Sequence, residues 1–159
     1  MSNFLKAKNF YLFIFFVSIF TLLSVIFIEY VLHEVPCKLC IYQRIPYLLS
    51  IFVCFLGYNF DKKLFILYSL VTIFIVSIFL SGYHVGIESE VFEEFSGCTA
   101  NNFDLIKKEE ILKKLQNSLP GCKNTSFRLF GISLATLNLI ISTIIAVFCL
   151  LVLKNEKNK

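Results

Sequence analysis

Apolar residues in this chain run on instead of alternating with polar ones. Phe10 to Ile28 carries no charge over 19 residues, Leu64 to Tyr83 none over 20 and Leu129 to Leu153 none over 25. Each is close to the ~20 residues that a helix needs to cross a bilayer. Ile45 to Phe60 is shorter, with 16 uncharged residues, and Ile41 and Tyr42 extend it if Arg44 snorkels to the interface. The pattern predicts an all-α integral membrane protein. It is a four-transmembrane-helix bundle, one domain over 1–159, with spans near 10–32, 41–60, 64–83 and 127–153 and outer loops at 33–40 and 84–126. The first run exceeds a signal-peptide core, and the Glu29-Tyr30-Val31-Leu32-His33 that follows offers no small-x-small cleavage site, so a retained helix is expected.

Composition agrees: 57% of the chain is hydrophobic, 19 residues are Phe and only 16% is charged. Lysine placement orients the spans. Lys6, Lys8, Lys62, Lys63, Lys154, Lys157 and Lys159 all lie at the termini or in the short 59–63 turn, whose side has only Asp61 and Glu156 as acids. The positive-inside rule puts the termini in the cytoplasm and both cysteine-bearing loops outside. Tyr11, Tyr30, Tyr42, Tyr47, Tyr58 and Tyr83 fall near span ends, as an aromatic belt requires, in a chain without Trp. The net charge of +4 is therefore an orientation signal, and a nucleic-acid partner is not expected, because no soluble face clusters Lys and Arg.

Depth sorts the six cysteines. Cys54 and Cys149 sit inside spans, where a thiol packs as a small apolar group. Cys37, Cys40, Cys98 and Cys122 fall in the outer loops, where disulfides persist. A metal is not expected: Cys98 and Cys122 are 24 apart and not a C-x-x-C, and neither His33 nor His84 has ligand spacing to them. A Cys98 to Cys122 bridge would close a long loop and contribute ~3 kcal/mol as a staple. A Cys37 to Cys40 bridge closes two residues; it is a poor staple and a labile, redox-active pair.

If a helix begins near Cys37, its first amides favour thiolate at Cys40, and Arg44 at i+4 sets a permanent cation on the same face. Pro46 removes the amide that would bond the Tyr42 carbonyl. Either the helix kinks there or the cysteines lie on a separate turn above it.

In the second loop, Asp104 to Leu119 places Leu105, Leu112, Leu115 and Leu119 at helical spacing opposite Lys and Glu. The spacing predicts an amphipathic helix on the outer leaflet or against the spans. Ser96-Gly97 and Pro120-Gly121 supply hinges around it. His84 and Glu88 stand at i, i+4 after the third span, where His84 reads as an interfacial anchor or a redox participant. Asn124-Thr125-Ser126 matches a glycosylation sequon in a chain with no other such sign.

CKLCIYQR followed by IPYLL, a second cysteine pair in outer loop two, YHVGIE after the third span and FGISLATLN opening the fourth occur in that order. In these motifs the chain resembles the disulfide bond formation protein B (DsbB) family of bacterial inner-membrane, quinone-linked thiol oxidases. It departs from them at Leu137, where the family commonly has Trp before the Asn. The resemblance implies a periplasmic DsbA-like thioredoxin-fold partner that attacks a Cys98–Cys122 disulfide at Cys98. Electrons then pass to Cys37 and Cys40, through a Cys37 to Cys122 bridge, and Cys40 reduces a membrane quinone (ubiquinone or menaquinone) held by Arg44 and His84. Vitamin K epoxide reductase-like oxidases place their loop pair before the C-x-x-C, whereas here it follows. The competing expectation is a non-enzymatic membrane scaffold with a stapled outer loop.

Overall fold

Three residues separate the second long helix from the third, which leaves these two apolar rods no arrangement but antiparallel neighbours. The computed structural model of the chain describes residues 7–59, 63–93, 128, 129 and 131–158. They form α1 (Ala7–Val31), α2 (Lys38–Tyr42), α3 (Ile45–Asn59), α4 (Lys63–Glu88), the two-residue strands β1 (Arg128–Leu129) and β2 (Ile132–Ser133), and α5 (Leu134–Lys157). Four spans long and apolar enough to cross a membrane result, with α2 and α3 together making the second. Their outward faces are apolar: Phe16, Phe20 and Phe79 are 64%, 74% and 73% exposed. Such faces are stable in hydrocarbon and not in water.

The helices pack in the order α1, α3, α4, α5, and α1 scarcely touches α5. At the end that carries the α3–α4 connection, Phe10, Tyr11 and Ile14 meet Cys54, Leu67, Leu70, Phe74, Cys149 and Val152 in one buried core. Cys54 and Cys149 are packing residues there, as their depth in the sequence predicts. Tyr11 Oη donates to the Lys63 carbonyl at 3.1 Å, tying α1 to the first residue of α4. Gly57 lets α3 approach closely: a Cβ there would overlap Ile66 Cγ2 and press on the Tyr11 ring. At the opposite end α1 contributes no buried residue beyond Ser18, and Cys37, Leu39 and Ile87 form a second, smaller core.

Two boundaries differ from those the apolar runs predict. The third helix continues past Tyr83 to Glu88, because Val85, Gly86 and Ile87 carry the helical ladder outward. It stops by a left-handed residue, Glu90 at φ 60°, with the Val91 amide donating to the Gly86 carbonyl at 2.9 Å and the Glu90 amide to the Ile87 carbonyl at 3.0 Å. Phe92 then stacks on Tyr83, its ring centroid 5.8 Å away. His84 is therefore a helical residue, not a loop residue. The fourth helix begins at Leu134 and not near 127, because Gly131, at φ 83°, turns the chain between β1 and β2. Ser133 then caps α5 by accepting the Thr136 amide. The amphipathic segment Asp104 to Leu119, Cys98, Cys122 and the sequon lie outside the described residues.

Candidate active site

Pro36 delivers the chain in extended form to Cys37, whose φ of −71° and ψ of 167° make it the N-cap of α2. Ser, Thr or Asp usually fills such a position. Here the thiol does so, its Sγ accepting the Cys40 amide at 3.3 Å. The helix lasts five residues. Pro46 has no N–H for the Tyr42 carbonyl, so the ladder lapses at Gln43 and Arg44 and restarts at α3, with Pro46 at its second position. Of the two arrangements compatible with Pro46, the cysteines occupy the separate turn above the span.

That turn packs on the outer end of α4. The Cys37 and Cys40 sulfurs are in contact at 2.9 Å, and Cys37 Sγ lies 3.7 Å from His84 Nε2. His84 is fully buried and Cys37 nearly so, while Cys40 is only half-buried. Behind the imidazole runs a chain of polar side chains. Gln43 Nε2 meets His84 Nδ1 at 2.9 Å, and Asn138 Nδ2 donates to Gln43 Oε1 at 3.0 Å. Tyr47 Oη donates to Asn138 Oδ1, and the Ser142 hydroxyl donates to the same oxygen at 3.3 Å. Ser142 also meets Ser77 Oγ at 2.8 Å.

As the two amides are placed, donors and acceptors in this chain follow one order. Asn138 Oδ1 accepts from two hydroxyls and its amide nitrogen faces Gln43. Gln43 therefore accepts through Oε1 and donates through Nε2, which makes His84 Nδ1 an acceptor. The neutral ring then carries its proton on Nε2, between Cys37 Sγ and Glu88 Oε1, the latter at 3.6 Å.

Charge at the site concentrates on Cys37. The hydrogen bond from Cys40 holds its thiol far below the ordinary range, to about 4; burial opposes this, and the bond from His84 and the Cys40 amide add to it. The bond with the Cys40 thiol, then that with His84 and the capping amide, favour the anion on Cys37, where reading the motif alone assigns it to Cys40. Cys37, Cys40 and His84 place three ligand atoms within 4.8 Å of one another, a grouping that the sequence spacing hides. The tautomer turns a proton, not a lone pair, toward the sulfurs, so the arrangement suits thiolate stabilisation.

Past the break in the ladder Arg44 reaches α1 and pairs with Glu29, Nη1 to Oε2 at 2.6 Å, leaving its buried Nε with no hydrogen-bond partner. Glu29 therefore belongs to this neighbourhood, along with Gln43, Tyr47, Asn138 and Ser142, none of which the motif reading assigns to the site. The signal for them is a polar side chain within or at the end of an apolar run, where such groups are costly unless partnered. Of the expected site residues, the fold brings together Cys37, Cys40 and His84 and sets Arg44 on the flank.

A family model described as disulfide bond formation protein DsbB matches residues 7–152. The chain is also 28% identical to the uncharacterised protein RP370 of Rickettsia prowazekii (strain Madrid E), over 151 residues that cover 89% of this chain and 85% of the relative. With a family match over nearly its whole length, and a buried thiol pair at the edge of four spans, the chain belongs to the DsbB family of membrane proteins for disulfide bond formation.

Proposed function

We propose that this protein is a thiol:quinone oxidoreductase that reoxidises a periplasmic DsbA-like dithiol protein. In this reading both termini are cytoplasmic and the active cysteines face the periplasm. The partner's thiolate attacks a Cys98–Cys122 disulfide at Cys98, and its second thiolate then releases the partner in its disulfide form. The freed Cys122 thiolate attacks Cys37 of the Cys37–Cys40 disulfide, and Cys40 leaves as thiolate; Cys98 then attacks Cys122, which re-forms the loop disulfide and releases Cys37 as thiolate. Two electrons and two protons pass inward for each disulfide formed in the partner.

A bound quinone would supply the two-electron, two-proton acceptor chemistry. The residues present fit such a group. Arg44 Nε is a buried donor without an acceptor, Cys40 is the less buried residue of its pair, and α1 has no buried residue at this end. Arg44 would hold a ring oxygen beside Cys40, and His84 would keep the charge of Cys37 compensated. The observation that carries the reading is the contact of Cys37 and Cys40 beneath a buried His84, at the edge of the spans.

Purified protein given a reduced thioredoxin-fold dithiol protein and a quinone should consume both in equal amounts, and Cys40→Ser should abolish turnover. A Cys37–Cys40 pair inert to thiol exchange would sink the reading and leave the scaffold alternative.

A further inference from the structure

We infer that Gln43, backed by Asn138 and Tyr47, is a positioning residue that fixes His84 in its Nε2-protonated tautomer, with that proton on the Cys37 side of the ring. Two helices and a break supply the relay: the break between α2 and α3 contributes Gln43, α3 Tyr47 and α5 Asn138, while α4 carries the imidazole. Gln43, Tyr47 and His84 are 7%, 2% and 0% exposed, so each hydrogen bond is made away from water, where an unmatched partner is costly. Side-chain amides have fixed donor and acceptor ends, unlike hydroxyls. A pair of amides in series therefore transmits one polarity from Tyr47 to the ring, 2.9 Å and 3.0 Å being the two links that matter. A lone glutamine could rotate its amide and serve either tautomer. One held by Asn138 can turn only if the Asn138 amide and the hydroxyls of Tyr47 and Ser142 reverse with it.

The consequence for chemistry rests on the disulfide-oxidase reading. When Cys37 is released from a disulfide as thiolate, it meets an N–H that is already aimed at it. The opposite tautomer would face it with a lone pair. Cys40 on α2 and Glu88 on α4 also face this side of the ring; from α5 the polar group described on the relay is Asn138.

Nitrogen-15 NMR of the full chain in micelles reads the tautomer directly. The chain has two histidines, so labelling histidine in a His33→Gln background leaves His84 alone. At neutral pH the wild-type ring should show a bare Nδ1 and a protonated Nε2. Gln43→Glu, nearly isosteric, should place a proton on Nδ1. Asn138→Leu, which removes no atom touching the ring, should shift the two signals toward a mixture of tautomers, and Tyr47→Phe should do so to a lesser extent. Alkylation of reduced Cys37 at pH 5 should slow at least threefold in Asn138→Leu.

A wild-type ring protonated on Nδ1 overturns the inference. So does a ring whose signals ignore both Gln43→Glu and Asn138→Leu. If a leucine variant does not fold, Gln43→Glu and Tyr47→Phe still decide the matter. None of these spectra needs quinone or partner. An enzyme without turnover whose ring responds as expected would refute the oxidase reading and leave the relay standing.

Discussion

A thiol that caps a helix is ionised more readily than one that does not, because the amide it accepts from and the histidine beside it both favour the anion. Cys37 is in that position. With its value lowered to about 4, alkylation of the reduced pair should rise with pH to a midpoint near 4, far below that of a free thiol, and His84→Gln should move the midpoint upward. The sign follows from linkage. A folded-state value below the unfolded one stabilises the reduced folded form in full above the ordinary thiol pKa of about 8.5, and this contribution fades as the pH falls toward about 4. Stabilising the reduced form also makes the corresponding disulfide more oxidising. A midpoint near 9 would refute the assignment of the anion to Cys37. The reactive pair was legible in the motif itself. Which sulfur holds the charge was not, since that depends on His84, 47 positions away, and on a cap that exists only because Pro36 and Pro46 bound the turn.

On α3, Gly57 faces Ile66 of α4 and the Tyr11 ring of α1. Helix propensity alone would favour alanine there by ~1 kcal/mol. A Cβ at that position, however, would meet Ile66 Cγ2 at 2.6 Å and two carbons of the Tyr11 ring at 3.1 Å. Ile66 is β-branched and buried and has little room to retreat. Overpacking costs about 1–3 kcal/mol, so Gly57→Ala should lower stability by roughly 1 kcal/mol. Thermal unfolding in detergent should show a lower midpoint, and a higher one would mean the contact relaxes freely. The existence of the four spans could be read from uninterrupted apolar runs, as could the break before α3 from a proline. The outward extension of α4 could not. His84, Val85 and Gly86 read as a loop opening because hydropathy falls there, while the ladder continues until Glu90 adopts a left-handed conformation.

Taken whole, the molecule has its main apolar core at one end, and at the other a smaller core and polar ties. Ser18 and Ser50 meet at 2.7 Å, and Glu29 pairs with Arg44 farther out. Since α1 has no buried residue beyond Ser18, that ion pair carries much of the attachment of its outer half. Each side chain is about a quarter exposed, so the pair is worth about 1 kcal/mol and not the several that full burial would imply. Glu29→Gln should lower the unfolding midpoint more than the double change Glu29→Gln with Arg44→Met, because the single change strands a half-buried cation. Equal effects would place Arg44 in free contact with water or headgroups. Nothing in the local pattern around Glu29 marks it as the partner of a residue 15 positions on, since pairing across helices is set by packing order and not by spacing.

The cap on α2 has one more implication. Its sulfur is at once a structural acceptor and a nucleophile, and it cannot serve fully as both. Whenever Cys37 turns away to bond a sulfur outside α2, the Cys40 amide loses its acceptor, and a helix of five residues has little else with which to hold its first turn. The shortest helix among the described residues is thus the one whose length depends on oxidation state. Its loosening would free Cys40 at the moment Cys37 is occupied.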